Sequence, residues 1–159
     1  VALVTILNSS LYYLWLYNRG KRKGEMLELY LTPLAAIPLP NLKQIEIYTL
    51  NLLGSMIFTE YSKQKEYHNR FDQIANGIII EHYFSEHMKD KKIDVLNSVE
   101  RDMEKVLQGK EFDSLSDVEK EKVIEQLHTT WSHPDNEVRN RIKLFAVRSP
   151  EILKPILES

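Results

Sequence analysis

The sequence predicts a mainly α fold: a helical, bundle-like tail over residues 41–159, preceded by a small strand-containing (α+β) segment over residues 1–40. Three observations lead there. After Asn41, apolar residues recur at spacings of three and four, as in Ile45, Tyr48, Leu52 and Met56, the signature of helices buried on one side. Before it, Leu27, Leu29 and Leu31 alternate with Met26, Glu28 and Tyr30, the period of a strand with one apolar face. Pro33, Pro38 and Pro40 then interrupt regular helix through the exit of that stretch.

In chain order, Val1 to Tyr17 reads as one buried helix, with Val4, Leu7, Leu11 and Leu14 on a stripe and Trp15 beside it. Tyr12, Tyr13 and Tyr17 either stack on bases or pack in the core with their hydroxyls at its rim. Asn8, Ser9 and Ser10 either reach base edges or are satisfied locally. Gly20 and Gly24 bracket a tight, exposed loop in which Arg19, Lys21, Arg22 and Lys23 crowd four cations into five positions. Asn41 is the expected N-cap of a helix running to about Tyr61, with Gly54 permitting close approach of a neighbour.

Phe71, Ile74, Ala75, Ile78 and His82 mark the next helix. Leu96, Val99, Met103 and Val106 mark another, stopped near Gly109. Ser116 and Glu119 form a capping box that opens a helix carrying Val123, Leu127 and Trp131. His133-Pro134-Asp135 and Ser149-Pro150-Glu151 each read as a helix start with proline at the first helical position. Pro155 limits the second of these helices.

The 159 residues allow one sizeable domain, or one small domain plus a truncated piece of another. With 43% hydrophobic and 28% charged residues, the composition argues against wholesale disorder. The absence of cysteine excludes disulfides and thiolate metal sites. The net charge of −2 is polarised, +4 over residues 1–24 and −6 over the remainder, which points to one basic face. Val1 begins in the middle of an apolar pattern without a signal-peptide layout, so the chain is expected to be a piece of a longer protein. The apolar run over residues 1–17 is short for a bilayer span.

Adjacent cations of this kind suit a polyphosphate backbone, where each meets a phosphate and releases counterions; the alternative is a solvated basic turn. The segment LNSSLYYLWLYNRGKRKGEMLELYLTPLAAIPLP, Leu7 to Pro40, resembles the closing part of the TaqI-type C-terminal specificity domain of adenine-specific DNA methyltransferases. Such enzymes belong to restriction–modification systems, and include type II single-chain forms with a fused endonuclease. The match consists of an "LNS" helix with aromatics, a Gly-Lys-Arg-Lys-Gly loop and an "LELY…PL..IP" exit, in that order. It covers about the first quarter of the chain, and Phe71 to Val95 is more weakly similar to the C-terminal tails of the same enzymes.

The resemblance implies that residues 1–40 end a target-recognition domain and that 41–159 form a C-terminal helical domain. It implies double-stranded DNA and the rest of the methyltransferase as partners, in a bacterial or archaeal cytoplasm without membrane attachment. Asn18, Arg19, Lys21, Arg22 and Lys23 are then the DNA-binding residues, with S-adenosylmethionine, and Mg where the parent also cuts, serving the parent enzyme.

The catalytic motifs of that family are not in this chain. Base-flipping amino methyltransferases hold the extruded base with an Asn/Asp-Pro-Pro-aromatic motif, and the sequence has neither a Pro-Pro pair nor a Gly-rich cofactor loop. Asp72 with Asp90-Lys91-Lys92 matches the letters of a metal-dependent nuclease, on segments that read as helix and connector. His82 and Glu86 lie one helical turn apart, a spacing that serves either a metal or a rim histidine, and no third ligand is well spaced. No catalytic, cofactor-binding or metal residue is therefore assigned. The rival readings are a helical docking module without direct DNA contact and an independent hydrolase using a divalent ion near Asp72 and Asp90.

Overall fold

The protein's structure is a computed structural model that describes the backbone at residues 1–23, 26–28, 30–62 and 68–158, and side chains at the same positions except 22, 23, 26–28, 34, 61, 62 and 68. In order come α1 (Ala2–Leu7), α2 (Ser10–Arg19), β1 (Lys21–Lys23), β2 (Met26–Glu28), α3 (Leu31–Ala35), α4 (Gln44–Ser62) and α5 (His68–Tyr83). There follow α6 (Ser85–Asp90), α7 (Leu96–Leu107), a 3-10 turn (Phe112–Ser114), α8 (Asp117–Ser132), α9 (Glu137–Lys143), α10 (Phe145–Arg148) and α11 (Leu153–Leu157).

The fold is mainly helical, as expected, but the strand-containing α+β segment over residues 1–40 is not seen. Among the described residues, extended pairing is confined to an antiparallel ladder of three residues a side, β1 with β2, Lys21 opposite Glu28 and Lys23 opposite Met26. That is too little to form a sheet layer with a buried face. The strand expected to reach Leu31 gives way there to α3. Pro33 is the third residue of α3, where a backbone N–H has no intrahelical acceptor, so its ring removes no hydrogen bond. Pro155 occupies the same position in α11.

The single helix expected over Val1 to Tyr17 is two. Ser9 adopts extended angles (φ −74°, ψ 154°), and its hydroxyl accepts from the Tyr12 N–H at 3.4 Å, which starts α2 afresh. The break turns the buried face away from the expected stripe. Ala2, Ile6, Tyr12 and Leu16 are buried, Val4 is exposed, and Leu7, Leu11 and Leu14 are only partly covered.

Helix α4 likewise starts later than Asn41. The Glu46 carboxylate reaches back to accept from the Lys43 N–H at 2.6 Å, the return half of a capping box, so the helix begins at Gln44. Its buried face runs through Leu50, Leu53 and Met56, while Ile45 and Tyr48 of the expected stripe are exposed.

Helix α5 is the hub, packed against α1, α2, α4, α7, α8 and α9. Phe71, Ile74, Ile78, Ile79 and Ile80 are all buried, so most of its circumference is apolar and covered, as a central helix requires. One apolar cluster joins Ile6 and Tyr12 from the first helices with Leu53 of α4, Val99 of α7, Trp131 of α8, Val138 of α9 and Ile156 of α11.

Gly54 has the close neighbour its position suggested. A Cβ there would lie 2.3 Å from Thr5 Oγ1 and 2.5 Å from Val1 Cγ1, so these side chains, or α1 with them, must shift to admit one. Gly54→Ala is expected to destabilise by about 1–3 kcal/mol through overpacking, read as a lower denaturation midpoint; an unchanged midpoint would show that α1 is not seated on α4.

In the C-terminal half, the Ser116–Glu119 capping box forms as expected, with Ser116 N–H donating to Glu119 Oε2 at 3.0 Å and Glu119 N–H to Ser116 Oγ at 3.4 Å. Helix α7 stops where Gln108 (φ 51°) and then Gly109 (φ 78°) enter the left-handed region, a conformation glycine adopts without penalty. The start expected at His133-Pro134 lies further on: Asn136 is the cap, its side chain accepting from the Arg139 N–H at 3.1 Å, and Pro134 precedes the helix. The last helix similarly begins at Leu153 rather than at Pro150, with the Leu153 N–H donating to Ser149 O at 3.0 Å.

Candidate nucleic-acid interface

Helix α2 is fixed on its inner side and open on its outer side. Tyr12 is buried, and its hydroxyl donates to the Pro38 carbonyl at 2.6 Å and lies 2.7 Å from the Tyr83 hydroxyl, which itself donates to Pro38 at 3.2 Å. Burial, then the Tyr83 hydrogen bond, holds the Tyr12 hydroxyl far above its ordinary value, so it stays neutral. This node ties the proline exit to α2 and α5 and removes Tyr12 from the residues able to stack on a base.

Tyr13 and Tyr17 differ. They are one helical turn apart, 44% and 39% exposed, with ring centroids 6.1 Å apart and planes tilted by 32°. The last turn of α2 continues into Asn18 and Arg19, both exposed. The Asn18 amide donates to the Leu14 carbonyl at 2.7 Å, and Arg19 sits where a cation complements the negative end of the helix dipole.

Gly20 ends the helix at φ −78° and ψ 172°, an extended conformation open to any residue, so no glycine-specific turn occurs there. The expected partner glycine, Gly24, lies outside the described residues. Lys21, Arg22 and Lys23 therefore stand on β1 rather than in an irregular loop. The Lys21 ammonium is 5.4 Å from the centre of the exposed Tyr30 ring, a cation–π distance. The side chains of Arg22 and Lys23 lie outside the described residues. Among the described residues no carboxylate pairs with Arg19 or Lys21 (the ion pairs all fall between Glu46 and Glu158).

The histidine suspected of metal binding has another partner. His82 Nδ1 is 3.0 Å from Glu46 Oε1, while Glu86 belongs to α6, beyond the break at Phe84. Glu46 escapes sequence reasoning because only the second half of the expected stripe, Leu52 and Met56, is buried, while in the first turns the buried face passes through Glu46 and Thr49 instead of Ile45 and Tyr48. Nearby, the buried Glu81 carboxylate accepts from the Val95 and Leu96 N–H groups at 2.6 and 2.9 Å, capping the start of α7 from another helix. Sequence offers no signal for such a cap, since its two halves are fourteen residues apart.

Burial raises the Glu81 carboxyl above its ordinary range despite these two donors. Burial, then the charges of Glu81 and Glu46, raises Glu100, one of whose oxygens is buried without a hydrogen bond. Raised folded values mean that the native state holds protons the unfolded chain gives up near pH 4.3. Both groups therefore withdraw stability as pH climbs from that unfolded value through their folded values. Glu100→Gln is expected to raise stability at pH 7 by up to about 1 kcal/mol and to flatten the profile from pH 4.5 to 7 in urea melts. A loss of stability at pH 7 would contradict this account of the carboxylates.

Among the described residues no group of three or more His, Asp and Glu is placed to hold a metal ion. None of the described helices is long and apolar enough to cross a membrane. No protein-family model, curated protein or solved structure matches the chain.

Proposed function

We propose that this chain is a C-terminal part of a restriction–modification enzyme, an adenine-specific DNA methyltransferase with or without a fused endonuclease, and that it contacts double-stranded DNA through the end of α2 and β1. The observation that carries the reading is the exposed run Asn18, Arg19 and Lys21, free of described carboxylate partners and continuous with the outward pair Tyr13 and Tyr17. Arg22 and Lys23 extend the same run by sequence. The cations set position on phosphates, and the tyrosines offer flat faces beside them. Methyl transfer from S-adenosylmethionine, and any Mg-dependent cleavage, belongs to other parts of the parent.

A second reading, a helical docking module without DNA contact, has its own support. Val1, Val4 and Phe58 are exposed, Phe58 at 76%, along a groove of about 1070 Å³ between α1, α4 and α5. Backbone chemical shifts recorded while a short duplex is added to the labelled chain separate the two. The DNA reading expects the largest changes at Tyr17 to Lys21. Changes absent there, with the duplex at millimolar concentration, would leave the docking module as the reading of choice.

A further inference from the structure

A second cationic surface lies away from the end of α2. Helix α9 places Arg139 and Lys143 one turn apart on one face, while Arg141 between them is committed elsewhere, to Glu137 at 2.6 Å and Asp94 at 3.0 Å. Arg70, near the start of α5, faces the same region. Arg70 and Lys143 line a cleft of about 470 Å³ together with Ser10, Gln73 and Asn76 on one side and the apolar Ile142, Phe145 and Leu157 on the other.

None of the three cations has a carboxylate partner among the described residues. The hydrogen bonds they make are to neutral groups. Arg70 Nη1 donates to Gln73 Oε1 at 3.0 Å, and Arg139 Nη1 donates to the Pro134 carbonyl at 3.3 Å. The Arg139 Nε is buried with no acceptor at all.

An arginine pair without a counter-ion is an unusual arrangement to leave unsatisfied. Burial, then the Arg139 charge, lowers the Arg70 guanidinium from its ordinary value, and burial with the Arg70 charge does the same to the His128 imidazole. The cleft lining holds no carboxylate to compete for these cations. Ser10 is the first residue of the ten-residue α2, so the positive end of that helix dipole borders the cleft. Its own N–H is held by Asn76 Oδ1 at 2.7 Å, which fixes the cleft wall rather than the ligand.

Guanidinium pairs of this kind match the oxygens of a phosphate, with a lysine as an additional point charge. We infer that the cleft between α5 and α9 is a phosphate-binding site in which Arg70 and Lys143 are the ligand-contacting residues and Arg139, beside the cleft, adds its charge. The phosphate belongs either to a nucleic-acid strand or to a small phosphorylated molecule. The site is separate from the basic run at the other end of α2, which lies roughly 15 Å along the helix from Ser10 at the usual rise per residue. It does not depend on the role assigned to that run.

The test follows the arginine side-chain Nε–H resonances of the labelled chain during titration with inorganic phosphate, and separately with a short DNA duplex, in a chloride buffer of fixed ionic strength. The site expects saturable shifts at Arg70 and Arg139 with phosphate, abolished in Arg70→Gln and weakened at least threefold in Lys143→Gln. Because Arg139 also braces the Pro134 turn, the Arg70 and Lys143 variants carry the test, with dispersed backbone spectra confirming that each is folded. If the duplex shifts the same resonances in an Arg19→Ala/Lys21→Ala background, the phosphate is that of a nucleic acid. If only inorganic phosphate does so, the ligand is a small phosphorylated molecule. Shifts that fail to saturate, or that persist unchanged in Arg70→Gln, overturn the assignment whatever becomes of the DNA reading.

Discussion

Trp131→Ala is expected to cost about 3–5 kcal/mol, the range for deleting a large aromatic from a well-packed core. Trp131 is fully buried on α8 and meets Phe71 of α5 edge-to-face, with ring centroids 5.7 Å apart and planes at 79°. Its truncation removes the main seat of α8 on the hub helix. Trp131→Phe is expected to cost less than half as much, because it retains a ring and discards an indole N–H buried without a described acceptor. Urea unfolding of both variants measures the difference. A cost below about 1 kcal/mol for the alanine variant would mean that α8 is not packed on α5 in this way.

The second large effect is expected at Glu81. Glu81→Ala leaves the Val95 and Leu96 N–H groups at the start of α7 without their acceptor, at about 2–3 kcal/mol. Relief of the buried carboxylate's desolvation opposes this, but a small alanine lets water reach the site only in part. The two effects separate by pH. The raised Glu81 carboxyl makes the wild type lose stability as pH rises through its folded value, and the alanine variant lacks that component, so the deficit is largest in mild acid. Hydrogen exchange adds a local readout, with faster exchange expected at Val95 and Leu96. Unchanged protection there would remove Glu81 from its role as the cap.

The helices of the tail are legible because they are long, periodic and punctuated. The capping box at Ser116, the stop near Gly109 and the close approach at Gly54 each follow from local chemistry and occur as expected. The segment over residues 1–40 is less legible. Ser9 has the right side chain for a cap, yet the apolar periodicity runs straight across it, and the break joins that cap to the packing of α1 on α4 and α5. Pro33 reads as a helix breaker while its position relative to a helix start is unknown; at the third residue the same ring is neutral.

The polar interactions are the least legible. Glu46 with His82 and Glu81 with α7 join groups 36 and 14 residues apart, respectively, and no spacing rule anticipates them. The unpaired cations of α5 and α9 are hidden for the same reason, since α9 reads as an ordinary charged helix until Arg141 is seen to take the nearby acids.

The central claim is that the basic run at the end of α2 binds the DNA backbone. It is tested most directly by measuring DNA affinity of the parent enzyme across a salt series, wild type against a variant with Arg19, Lys21, Arg22 and Lys23 all changed to Ala. The account predicts weaker binding to every duplex and a log–log salt slope shallower by about 3–4, because each cation removed leaves one phosphate with its counterions in place. Unchanged affinity with an unchanged slope would contradict it.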